Sequence, residues 1–109
     1  MTIEGIKKLL DTTGYPVAYN HFKRSKSNTP PNPPFITYLL PSSKNFAADN
    51  TVYAKINSLQ IELYTDKKDP TAEATLESAL DGATIFYDKS ETYIDSEQLY
   101  QIIYECEVM

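Results

Sequence analysis

A chain of 109 residues with a formal net charge of −5, no internal repeat and no break in composition is expected to form one domain, 1–109. Leu, Ile, Val and Phe make up 25 of the 109 residues and nine tyrosines add amphipathic surface, which excludes a disordered chain and predicts a modest core that oligomerisation would help to cover. No stretch nears the roughly 20 apolar residues of a membrane span, the N-terminus lacks the apolar run of a signal peptide, and Cys106 and His21 alone make neither a disulfide nor a Cys/His zinc site, so the expectation is a soluble, cytosol-made protein without these supports.

Thr2 is placed to cap a short helix with Ile3, Ile6 and Leu10 on one stripe. Glu4 and Lys8 are in the favourable i,i+4 order, and Gly14 supplies the stop. An extended segment, Val17 to Phe22, follows Pro16. Residues 25–34 (SKSNTPPNPP) have four of the seven prolines and predict an exposed loop joining two strands. Phe35 to Leu40 has the composition of a strand ended by Pro41, and residues 42–51 that of a second polar loop.

Val52 to Thr65 alternates in its later part, with Leu59, Ile61 and Leu63 on one face and Gln60 and Glu62 on the other. Ile56 is out of phase with Leu59, which predicts a bulge near Asn57. Asp69-Pro70 opens a second helix whose inner stripe is Ala72, Leu76, Ala79, Leu80 and Ala83. Glu73, Glu77 and Asp81 are expected outside, with Gly82 as the stop. Thr84 to Tyr87 predicts a short strand and residues 88–97 a charged connection. The final segment alternates again: Tyr100, Ile102, Tyr104, Cys106 and Val108 share a face, and Ile103 falls on the other among Gln101, Glu105 and Glu107. The expected fold is α+β: a mixed, mostly antiparallel sheet with an N-terminal helix and a second helix packed on one face, and a parallel crossover possible around the second helix.

Charge is unevenly spread. Residues 1–54 carry six basic and three acidic groups, or +3, whereas residues 55–109 carry four basic and twelve acidic, or −8. Acidic excess opposes sequence-independent nucleic-acid binding. The dipole suits subunits meeting head to tail, or is solvated surface charge. No nucleophile elbow, phosphate loop or dinucleotide glycine pattern is present. His21 fits an ordinary surface residue and Cys106 a small buried hydrophobe. Asp66 with Asp69, and Asp88 with Glu91, Asp95 and Glu97, are acidic groups without the turn glycine of a calcium loop. No catalytic residue, metal or cofactor is expected.

The runs IELYTDKKDPTAEATLESAL and IFYDKSETYIDSEQLYQIIYECEV resemble a group of short proteins from the head–tail gene region of long-tailed phages and prophages of Gram-positive bacteria. In these proteins a strand ending in an L-Y-T-D-type turn leads to an Asp-Pro-capped helix, and a Y-I-x-S-E-x-L-Y-Q-x-x-Y-E strand closes the chain. The resemblance covers residues 52–109, extends loosely to the N-terminal helix, and matches the middle in character only. It implies a tail terminator of the siphophage type: a virion structural protein of similar α+β fold that assembles into a ring, usually of six, caps the tail tube and joins it to the head. A head completion or stopper protein of the same connector is the alternative within that setting, and a small ligand-binding α+β domain the alternative outside it.

For such a ring the implied partners are further copies of the chain, the tail tube protein and the head completion protein. Genomic DNA passes through without specific binding, and no membrane is involved. The expected place is the head–tail junction of the virion, reached from the host cytoplasm during assembly. Ile103, Tyr100 and Tyr104 are the candidate subunit-interface residues. Ser27, Asn28, Asn32 and Asn45 mark loops expected to touch partners. Asp66, Asp69, Asp88 and Glu91 are the acids expected to face a channel, where carboxylates repel phosphate and let DNA slide, with Lys23, Arg24 and Lys26 turned outward or to an acidic neighbour.

Overall fold

A computed structural model describes residues 2–21, 31–41, 43–48 and 51–108, with 43–48 and 51–56 described by backbone alone. Helix α1 (Ile3–Asp11) starts where expected: the Thr2 hydroxyl accepts the Gly5 N–H, filling one of the donors left open at a helix start. Ile6 and Leu10 are buried. The outer i,i+4 ion pair that forms is Lys7–Asp11 at 2.7 Å, in place of the expected Glu4–Lys8. Gly14 takes a left-handed φ of 85° and turns the chain.

Strands β1 (Val17–Tyr19) and β2 (Phe35–Leu39) pair in parallel. β1 is shorter than the expected extended segment, because Asn20 adopts φ 66° and ends it. Asn32 is exposed just before the cis Pro33–Pro34 bond, as a loop residue should be. Ser27 and Asn28, with Lys23, Arg24 and Lys26, lie outside the described residues.

Within the expected second loop, 42–51, the described residues are strand: β3 (Ser43–Ala48) pairs antiparallel with β4 (Thr51–Thr65). Asn45, expected in a loop, lies opposite Lys55 within this ladder. Polar side chains do not prevent a strand when a long neighbour offers an open row of backbone groups. Asn57 pairs with Ser43 on one side and Val108 on the other, so β2 and β3 run successively along the same edge of β4. Asn57 itself is in register with both neighbours, and the irregularity expected near it falls to either side. Between the pair Leu39–Gln60 and the pair Ser43–Asn57 the numbering advances by four on one side and by three on β4, and between Phe46 and Ala47 the partners step from Ala54 to Val52, which leaves Tyr53 of β4 as an extra residue. At roughly 3.3 Å per residue, the 15 residues of β4 account for the 51 Å long axis of the molecule.

Helix α2 (Pro70–Gly82) is capped by the Asp69 side chain, which accepts the Ala72 N–H. At its end the Thr84 N–H donates to Asp81 O and the Ile85 N–H to Leu80 O, which satisfies two terminal carbonyls and buries Ile85 against the core. The left-handed residue of this stop is Thr84, φ 57°, not the expected Gly82. The strand expected at 84–87 is displaced: β5 spans Tyr87–Ile94 and takes in most of the expected charged connection. Residues 95–98 make the turn into β6 (Leu99–Val108). The sheet order is β1-β2-β4-β6-β5, with β3 on β4. The fold is α+β, mixed and mostly antiparallel, and β4 and β5 are parallel with β6 between them.

The buried side chains Ile36 and Tyr38 of β2, Leu59, Ile61 and Leu63 of β4, and Ile102, Tyr104, Cys106 and Val108 of β6 share one face of the sheet. Ile6 and Leu10 of α1 and Ala72, Leu76 and Leu80 of α2 join them in a single core. Both helices therefore cover the same face and, among the described residues, leave the other bare of helices. Among the described residues, no helix is long and apolar enough to cross a membrane.

Candidate functional site

Two groups of polar side chains stand out, one on each face of the sheet. On the covered face, Glu73 and Glu77, expected on the outside of α2, turn toward β5 and β6. Glu73 is only 4% exposed and receives Lys68 Nζ at 2.8 Å and Lys89 Nζ at 2.7 Å. Glu77 Oε2 accepts from Lys89 Nζ at 2.8 Å and from the Tyr104 hydroxyl at 2.8 Å, and its other oxygen accepts from the Tyr87 hydroxyl at 3.3 Å. Lys68 also reaches Glu91 at 2.6 Å. Burial alone would raise both carboxyls, but the hydrogen bonds from Lys68 and Lys89 to Glu73, and from Lys89 and Tyr104 to Glu77, hold them below the usual carboxylate range. Burial, then the bond to Glu77, pushes the Tyr104 hydroxyl far up. This cluster ties α2 to β5 and β6, and its members are one another's partners.

On the bare face, the Glu62 carboxylate toward the end of β4 accepts from the Thr37 hydroxyl at 3.0 Å, Gln60 Nε2 at 2.7 Å and the Tyr64 hydroxyl at 2.7 Å. Gln101 Nε2 in turn donates to the Tyr64 hydroxyl at 3.0 Å, and the Phe35 ring stacks on Tyr64 with centroids 5.0 Å apart. Burial, and then the bond to Glu62, pushes Tyr64 up to about 12. Ile103 is half-buried on this face, between Glu62 and Ser90 on the adjacent strands. The expectation that it points away from Tyr100, Ile102 and Tyr104 holds. Tyr104 is wholly enclosed by its own chain, a core residue and not one a second subunit could touch. Tyr100 is half-buried, edge-on to Tyr93 at 4.9 Å.

The acids expected to line a channel do not share one surface. Asp66 is exposed in the turn before α2, and Asp69 is engaged as its cap. Asp88 and Glu91 lie on opposite faces of β5: Glu91 is toward the helices and bonded to Lys68, while Asp88 faces away, directly opposite Glu105. Glu62, Asp88 and Glu105 make the bare face acidic and have no lysine partner among the described residues. His21 is exposed, with Nδ1 3.2 Å from Asn20 Nδ2. Cys106 is buried, and burial followed by the nearby Asp88 charge pushes its thiol up to about 11, the reverse of an activated nucleophile. Among the described residues no group of three or more His, Cys, Asp or Glu side chains is placed to hold a metal.

A half-open groove of about 570 Å³ runs between the end of α2 and the end of β6, lined by Ile85, Tyr87 and Val108 with Asp88 and Glu107 at its rim. Phe86 stands beside it, 85% exposed. The alternation of β4 and β6 already signalled the bare-face residues, but not that Glu62 gathers three donors, one of which comes from β2 while Gln101 of β6 supports another. Nothing in the helical pattern signalled Glu73 or Glu77, since their lysines come from a turn and from β5. Compared with models of known protein families and with curated protein sequences, the chain matches none.

Proposed function

We propose that the chain is a tail terminator of a long-tailed phage: a subunit of a ring, expected to be a hexamer, that caps the tail tube and presents the surface joined by the head completion protein. The observation that carries this reading is the resemblance of residues 52–109, which correspond to β4, α2, β5 and β6. The distribution of surfaces supports it. Helices cover one face of the sheet, whereas the other offers Ile103, Tyr64 and Phe35 around a carboxylate whose hydrogen bonds are internal. The patch around Glu62 can be buried by a neighbour without stranding a polar group, while Asp88 and Glu105 beyond it stay in solvent. In the ring the exposed acids Asp88 and Glu105 repel a passing DNA backbone, and the exposed Asn32 reaches the adjoining tail or head protein.

The test is genetic and reconstitutive. A phage lacking the gene should accumulate filled heads and unjoined tails of irregular length, and purified protein added to that lysate should restore infectious particles. Infectious particles of normal tail length made without the protein would end the reading.

A further inference from the structure

β5 is an eight-residue strand at the edge of the sheet, and among the described residues no strand pairs with its outer side. An open edge of this length is a template for another strand. Its side chains are exposed or half-buried throughout, among them the ring of Tyr93, at 46%, and the ring of Phe86, at 85%, stands just before its start.

The order of residues along this edge selects a partner. When a strand pairs antiparallel with its own copy about a two-fold axis normal to the sheet, the residue on the axis decides every other pairing. An axis through Lys89 sets lysine against lysine, and an axis through Glu91 sets glutamate against glutamate. An axis through Ser90 sets Lys89 against the partner's Glu91, Tyr87 against the partner's Tyr93 and Asp88 against the partner's Thr92. Continued past the start of the strand, it brings Phe86 beside the partner's Ile94. Three of these four pairs, opposite charges, two aromatic rings, and an aromatic with a β-branched residue, are of kinds that stabilise neighbouring strands when directly opposed, and the fourth sets no like charges together. Lys89 and Glu91 already have partners within the chain, so the seam joins two existing charge networks. We propose that two copies of the chain join β5 to β5 about a two-fold axis through Ser90, which makes one continuous sheet and covers Phe86. One strand on each side is a small interface, so the dimer is a weak one, with Kd about 1–100 μM. The contact depends only on the edge of the sheet and belongs to the free chain: a two-fold contact cannot recur around a ring with unlike tail and head sides, so ring assembly would replace it.

Sedimentation of the intact protein across that concentration range should follow a monomer–dimer equilibrium. Phe86→Asp and Glu91→Lys should each weaken it at least tenfold while leaving the far-ultraviolet circular dichroism unchanged. Position is read by cysteine cross-linking, for which the buried native thiol of Cys106 is a silent background. The two copies of residue 90 lie about 4.5–5.5 Å apart between Cα atoms, within disulfide reach. Two copies of residue 92 stand roughly 13 Å apart. Under mild oxidation Ser90→Cys should therefore form a disulfide dimer roughly tenfold faster than Thr92→Cys. A protein that stays monomeric throughout the range overturns the proposal. So does an oligomer of any size in which Ser90→Cys cross-links no faster than Thr92→Cys.

Discussion

The Tyr104 hydroxyl, at the centre of β6, donates to the Glu77 carboxylate of α2 at 2.8 Å, and this bond joins the most enclosed ring of the sheet to the helix above it. Tyr104→Phe keeps the ring and its packing against Tyr87 but removes that donor. A hydrogen bond to a charged acceptor contributes about 1.5–3 kcal/mol. Urea unfolding of Tyr104→Phe should show a loss of this size, with an unchanged slope against denaturant. An unaltered midpoint would mean that Lys89 and Tyr87 satisfy Glu77 by themselves.

Stability should decline at both ends of the pH scale, for separate reasons. Glu73 and Glu77 have folded-state pKa values below their ordinary range. Their contribution is present above the unfolded carboxyl pKa, about 4.3, and is lost as pH falls through the folded values, because the unfolded chain then binds protons the folded one does not. Cys106 at about 11 and Tyr64 at about 12 are raised. Their contribution is complete below the unfolded values, about 8.5 and 10, and is lost as pH rises through the folded ones. Thermal melts from pH 2 to 11 should trace this dome, and Glu77→Gln should flatten its acid side. An acid limb of the same steepness in Glu77→Gln would remove that group from the linkage.

Thr84 is a β-branched residue at φ 57°, a conformation that costs an L-residue roughly 1–2 kcal/mol. Glycine relieves the strain but loses more freedom on folding. Thr84→Gly should leave a net gain of about 0.5–1 kcal/mol in denaturant unfolding. Destabilisation on that substitution would show that the Thr84 side chain contributes more than its backbone costs.

Asp88 and Glu105 stand directly opposite each other on the bare face, an arrangement that opposes strand pairing. Glu105→Lys converts the repulsion to attraction and should add about 0.2–1 kcal/mol at low salt. The gain should shrink as salt screens the pair. If that lysine also lowered tail–head joining, the acidic face would be implicated in assembly separately from stability. No gain at low ionic strength would count against the repulsion itself.

Local chemistry made much of this fold legible in the sequence. Thr2 and Asp69-Pro70 start helices because the needed oxygen, or the missing N–H, belongs to the residue itself. Leu59, Ile61 and Leu63, like Ile102, Tyr104 and Cys106, alternate because a sheet with one buried face imposes a period of two. The turn at Gly14 follows from the freedom of a residue without a Cβ. What tertiary structure alone decided involves partners distant along the chain. Ser43–Ala48 and Asp88–Ile94 are strands despite polar or charged sequences because β4 and β6 present rows of backbone groups to pair with. Glu73 and Glu77 face inward because Lys68 and Lys89, from a turn and from β5, converge under α2 and compensate the burial of charge. Glu62 collects its donors from β2 and β4, while Gln101 of β6 supports one of them. Periodicity weighs only how apolar each side chain is, whereas a buried carboxylate is stabilised by whichever donors the folded chain brings within about 3 Å of it.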